Sequence, residues 1–180
     1  MSESPSAYDC AMVRVCVPWC LKYPFEQRIP SIRSTATKIV IVDIGGNQGV
    51  NLDRLPSSFS HLDCDLVLQD LPKTLIEIRT HLDPRIRSMA YDFSQHSAYR
   101  RFKGDSIKHL LINKIILSDT NESLSRAEMD MLMLFLCDCM EHSKLQREES
   151  LAKVNSPLRI IDTWSVPGDQ QSVIEACLAE

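Results

Sequence analysis

Lys38-Ile39-Val40-Ile41-Val42-Asp43-Ile44-Gly45-Gly46-Asn47-Gln48-Gly49 runs from an apolar β-branched stretch straight into a cluster of glycines. The continuous run from Lys38 to Asp43 predicts a strand buried on both faces, as in a parallel sheet. Ile44 to Gly49 predicts a tight turn, and Val50 to Phe59 predicts a helix although Pro56 lies inside it. A strand ending in Asp, a Gly-rich turn and a helix are how many nucleotide-binding α/β folds begin. Glycine lets the backbone approach a ligand closely, and a helix N-terminus favours negative charge.

Working outward, Asp65 to Asp70 reads as a second strand, ended by Leu71-Pro72. Lys73 to Leu82 carries Leu75, Ile78 and Leu82 at helical spacing. Ile86 to Tyr91 is a short third strand, closed by Asp92-Phe93. Lys108 to Leu117 predicts another strand, and Glu122 to Met140 predicts the longest helix, with Met129, Leu132, Met133 and Leu136 along one face. Leu158 to Trp164 and Ser172 to Cys177 are joined by Val166-Pro167-Gly168-Asp169, a connection short enough for an antiparallel hairpin. Alternating strands and helices predict an α/β layered sheet. Pro5, Pro18, Pro24 and Pro30 set residues 1–37 apart as a region of their own, although Ala11 to Cys20 is apolar enough to pack.

Composition narrows the function classes. The 180 residues suit one domain, and 44% hydrophobic content suits a globular one. Twenty basic and 24 acidic residues leave a net charge of −4 with no long basic run, so nucleic acid is not an expected partner. No apolar stretch approaches the ~18–20 residues that span a bilayer, and Met1 to Ser6 carries no basic or apolar leader. Neither membrane insertion nor secretion is expected. The seven cysteines are irregularly spaced with no C-x-x-C pair, so zinc-ribbon and thioredoxin readings fail. Cys10, Cys16 and Cys20 lack a nearby His to complete a metal site, and Cys137 and Cys139 point to different faces of a helix. Reduced thiols in apolar surroundings fit a cytoplasmic protein with no metal.

Two cofactor classes use a glycine turn after the first strand. Dinucleotide enzymes want G-x-G-x-x-G, which Gly45 to Gly49 does not supply. Asp43-Ile44-Gly45-Gly46-Asn47-Gln48-Gly49 instead has an acid followed by glycines at alternating positions, with Asn47 at the middle one. With Val67 to Pro72, Asp92-Phe93, Leu110 to Asp119, Glu128 to Leu134, Glu141 to Lys144 and the final hairpin, this resembles the S-adenosylmethionine-dependent O-methyltransferases. The flavour is that of the caffeate type and its fungal secondary-metabolism relatives. The resemblance covers residues 38–180, and its segments occur in the family's order.

The resemblance implies an incomplete Rossmann-like class I methyltransferase sheet ending in an antiparallel β-hairpin. It implies cofactor contacts at Asp43, Gly45, Gly46 and Gly49, a ribose held by Asp70, and an adenine flanked by Asp92 and Phe93. Met129 and Met133 would pack the acceptor, a small phenol or enol, and Glu141 matches one of the family's catalytic acids. The family's general-base His, next to an Asp-Trp pair, is absent from the sequence. Ser94 to Lys108 leaves no room for the strand-four and helix segment that bears it, a unit of roughly 30 residues. Lys114 stands where the family has an acid. His109 is expected to be an exposed or capping residue, and Lys144, Arg147, Glu148 and Glu149 a solvated face. Residues 1–37 would be a remnant of, or replacement for, the family's helical dimerisation domain, leaving a homodimer or a partner enzyme open. The resemblance thus implies an O-methyltransferase with impaired turnover or, alternatively, a non-catalytic accessory protein that keeps part of the cofactor site. A nicotinamide oxidoreductase is disfavoured by the glycine spacing.

Overall fold

Three parallel strands organise the first half of the chain in the computed structural model, which describes residues 16–29, 39–79, 81–92, 109–154 and 157–178. The chain divides into two compact units, Met1–Asp105 and Ser106–Glu180.

The first unit runs α1 (Trp19–Lys22), α2 (Phe25–Arg28), β1 (Ile39–Ile44), α3 (Val50–Ser58), β2 (Cys64–Asp70), α4 (Pro72–Ile76) and β3 (Ile86–Ala90). Its strands lie in the order β1-β2-β3, with Ile44 opposite Gln69 and Asp70 opposite Ala90. Burial on both faces belongs to β2, where Leu66 to Asp70 are all buried, and not to β1 as its composition suggests. β1 is the outer strand of this sheet, and its Val40 and Ile44 are about half exposed. Pro56 is tolerated in α3 because it sits two residues from the end, where only the last turn loses an amide.

α4 stops at Ile76, well short of the expected Leu82. The backbone that would continue it is held by other groups. Gln48 Oε1 accepts from the Arg79 N–H at 3.0 Å, and Gln48 Nε2 donates to the Glu77 carbonyl at 3.4 Å. Asp53 Oδ1 accepts from the Asp83 N–H at 2.6 Å. The short helices α1 and α2 pack on this unit. Trp19 Nε1 donates to the Asn51 carbonyl at 2.9 Å, and Cys20, Tyr23 and Phe25 are buried. Phe25 meets Trp19 and Tyr23 edge-on at 5.5 and 4.9 Å.

The second unit contains β4 (Leu110–Leu117), α5 (Leu124–Cys137), β5 (His142–Ser143), α6 (Lys144–Ala152), β6 (Leu158–Ser165) and β7 (Gln171–Leu178). The strand order is β5-β4-β7-β6. β4 pairs parallel with β5, and β7 pairs antiparallel with both β4 and β6. The expected hairpin is β6–β7, with a bulge between Ile160 and Asp162. The central strand β7 is buried from Ser172 to Ala176. α5 is shorter than its apolar pattern suggests because its ends are capped. The Ser123 side chain accepts from the Arg126 N–H, and Asp138 turns left-handed at φ 51°. α6 is an element the apolar pattern alone does not reveal. A capping box, Ser143 with Gln146, starts it. Among the described residues, no helix is long and apolar enough to cross a membrane.

Candidate active site

The glycine turn leaves the carboxyl end of β1 and is fastened to the end of β2. The Gly45 N–H donates to the Gln69 carbonyl at 2.8 Å. Gly45, Asn47 and Gly49 are all left-handed, at φ 70°, 50° and 72°. Asp70 Oδ2 accepts from the Asn47 N–H at 2.8 Å, and Oδ1 accepts from the Leu71 N–H at 2.7 Å. Asp70 is therefore the pin that holds the strained turn open, a role the sequence did not show. The Tyr91 N–H donates to the Asp70 carbonyl at 2.8 Å, which brings the half-buried Asp92 just past the end of β3 into the same neighbourhood. Phe93 lies outside the described residues.

Two glycines explain themselves by space. A Cβ on Gly46 would lie 2.5 Å from both Asp43 Oδ2 and Leu68 Cδ1, so no larger residue fits there. A Cβ on Gly45 would meet nothing within 4 Å, which leaves open room beside the turn. Asp43 is the electrostatic oddity. Its Oδ2 is buried with no hydrogen-bond partner. Burial, and then the nearby Asp70 carboxylate, push its carboxyl up to about 6.

The other expected site residues lie in the second unit. The Glu141 N–H donates to Asp130 Oδ1 of α5 at 2.7 Å. Glu141 Oε2 is 4.0 Å from the Arg147 guanidinium of α6, with the two side chains only 8% and 16% exposed. Arg147 is thus not part of a solvated face. Its Nε is buried without a hydrogen-bond partner. Lys144 and Glu148 do form an exposed i,i+4 pair. Lys114 is exposed on β4, opposite Ser172. Met129 and Met133 are half-buried on α5, while Met131 faces out.

His109 is a further correction, being neither an exposed nor a capping residue. Its Nδ1 pairs with Oε1 of Glu175, which is wholly buried in β7. The only sequence signal was an acid inside the apolar stretch Ser172 to Cys177. The pair does not adjoin Glu141. His109 precedes β4, whereas Glu141 leads into β5, which pairs with the other end of β4 at Ile116 and Leu117. Eight strand residues separate the two ends, roughly 25 Å. Among the described residues, no group of three or more His, Cys, Asp or Glu could hold a metal ion.

No protein-family model matches the chain. O-methyltransferase mpaG of Penicillium roqueforti is 27% identical over 191 residues, which is 89% of this chain and 48% of that protein. Over most of its length the chain is similar to curated fungal O-methyltransferases. It spans about half the length of the curated relatives it matches. Setting 89% of 180 residues against 191 positions leaves about 30 positions in the mpaG alignment without a counterpart in this chain. Solved structures agree on the fold. OxaC in complex with SAH and oxaline superposes with a TM-score of 0.71 at 22% identity, over 89% of this chain and 47% of that one. A pericyclic reaction enzyme gives 0.75 at 18% identity, over 98% and 53%. The fold is therefore α/β and Rossmann-like, matching class I methyltransferase structures as the sequence motifs implied.

Proposed function

We propose that this chain binds S-adenosylmethionine at the glycine turn and transfers its methyl group, with impaired turnover, to a hydroxyl oxygen of a small phenolic or enolic secondary metabolite in the cytoplasm. The observation that carries this reading is the turn itself, left-handed at three positions and pinned open by Asp70. The residues fit the cofactor. There is open room at Gly45 and an orphaned buried carboxylate oxygen on Asp43, suited to a cationic ligand. Gly45, Gly46 and Gly49 would let the cofactor pass close to backbone. Each Asp70 oxygen has a lone pair beyond the one its backbone donor uses, enough to accept from a ribose diol. Asp92 and Phe93 would flank the adenine. When bound, the cofactor supplies a methyl group already activated by its sulfonium. The chain's task is then to orient the acceptor, through Met129, Met133 and Glu141, and to keep it in line.

Asp70→Ala is expected to weaken cofactor binding by ~1–3 kcal/mol, the scale of a lost charged acceptor. Isothermal titration well below the melting temperature checks this. Identical curves for wild type and variant would remove Asp70 from the site, and a wild type that binds nothing would overturn the reading. An accessory, non-catalytic role is the second reading. It is favoured by Lys114 in place of an acid and by the lack of His-Asp-Trp. A fold shared with a pericyclic reaction enzyme also does not by itself dictate methyl transfer. Tight cofactor binding with no label transferred to any phenol or enol would decide for it.

A further inference from the structure

The glycine turn is tied on its outer side to the segment that links α4 to β3. Gln48 gives both ends of its amide to that segment: Oε1 accepts from the Arg79 N–H at 3.0 Å, and Nε2 donates to the Glu77 carbonyl at 3.4 Å. In the first turn of α3, Asp53 Oδ1 accepts from the Asp83 N–H at 2.6 Å. Between these two ties Leu82 closes on Gly49, where a Cβ would lie 2.9 Å from Leu82 Cδ1 and 2.9 Å from Leu68 Cδ2. Glu77, Arg79, Leu82 and Asp83 thus form a strap along the turn and the start of α3. Asp83 carries the tie into β3, since its Oδ1 accepts from the Arg85 N–H at 2.9 Å and its carbonyl from the Ile86 N–H at 2.9 Å.

We propose that this strap is a conformational device coupled to the cofactor site, with Gln48 as the positioning residue that joins the two. The coupling rests on the binding of S-adenosylmethionine at the glycine turn proposed above. Gln48 stands between Asn47 and Gly49, left-handed at φ 50° and 72°. The shape of the turn and the reach of the Gln48 side chain to Arg79 are therefore set together. A residue other than glycine is disfavoured at positive φ, so Asn47 needs holding. Asp70 takes its N–H from one side, and the strap holds its neighbour from the other. Both hydrogen bonds of Gln48 are exposed to solvent, and exposed ties of this kind open locally at little cost. The strap exchanges between a closed form, with the turn set for the cofactor, and an open one. A ligand that prefers the set turn draws the strap closed, and by linkage the closed strap raises the affinity for the ligand.

Amide exchange at Arg79, followed by NMR on the full chain with and without saturating S-adenosylmethionine, tests this. The cofactor is expected to slow that exchange at least ~5-fold in the wild type. Gln48→Met keeps the length of the side chain and loses both hydrogen bonds. It should weaken cofactor binding in isothermal titration by the same factor, and its Arg79 exchange should not respond to the cofactor. The two factors are equal because the open fraction of the strap governs both, an equality that a merely structural role does not produce. If Gln48→Met loses its far-UV circular dichroism signal, Asp53→Ala, which cuts the other tie, gives the same reading: affinity and the cofactor's effect on Arg79 should fall by one common factor. A wild type that binds the cofactor with Arg79 exchange unchanged overturns the coupling and leaves the binding site standing. So does a folded variant with wild-type affinity, or a Gln48→Met chain whose Arg79 exchange the cofactor still slows, as direct cover by the ligand would do. A wild type that binds no cofactor overturns the reading of the site and this coupling together.

Discussion

Methyl transfer to simple phenols by this chain is expected to run roughly 10²–10⁴-fold below that of a relative carrying the His-Asp-Trp segment, the usual contribution of a general base. A phenol with a pKa of about 10 is protonated at neutral pH and is a poor nucleophile until its proton is removed. Three described side chains in or near the expected site are not arranged to substitute. His109 is tied to buried Glu175 and stands a strand's length from Glu141. Lys114 is exposed on β4. Glu141 faces the Arg147 guanidinium rather than an imidazole it could orient. A radiolabelled-methyl assay over phenols and enols, with Glu141→Gln and Lys114→Glu alongside, measures the deficit. Turnover at the relative's rate, abolished by Glu141→Gln, would show that the acid works without the His.

Much of the architecture is legible because its signals are local. The apolar runs that became β1, β2 and β4 are followed closely by glycine, proline or aspartate, and the hairpin has its turn residues in line. The glycine turn is legible for the same reason, since its spacing lies within seven residues. What escapes the sequence is decided by partners far along the chain. α4 ends early because Gln48, 31 residues before Arg79, takes the amide that would have continued the helix. Burial passed from β1 to β2 because strand order is a property of the sheet and not of either strand. Arg147 looks like one more surface charge until α6 folds back and sets it against Glu141. Glu175 finds His109 across 66 residues of sequence. The sequence offers Asp70 as a ribose acceptor by its place at the end of the second strand and by resemblance, whereas its grip on the Asn47 amide appears only once the turn is built.

Asp43→Asn is expected to gain on the wild type by about 2 kcal/mol in unfolding free energy as pH rises from about 4 to about 6, approaching about 3 kcal/mol only beyond both ends of that window. In the folded chain the Asp43 carboxyl is pushed up to about 6 by burial and then by Asp70, against an ordinary value of 3.8. Between those two values the folded state keeps a proton that the unfolded state has released. Wild-type stability from this group therefore falls with rising pH across that window and is level above it. Asparagine has no proton to lose, so its own packing cost enters as a constant. Asp83, hydrogen-bonded by Arg85 and held below its ordinary value, acts at lower pH, alike in both proteins, and drops out of the difference. Urea melts of the pair at half-unit steps give the curve. A flat difference would mean that Asp43 ionises normally in the fold. The same group makes a claim about the cofactor. A cationic ligand beside Asp43 favours the ionised carboxylate, so wild-type affinity for S-adenosylmethionine should climb as pH rises through about 6, while that of Asp43→Asn should not. Parallel pH dependence in the two proteins would place the cofactor's positive charge away from Asp43.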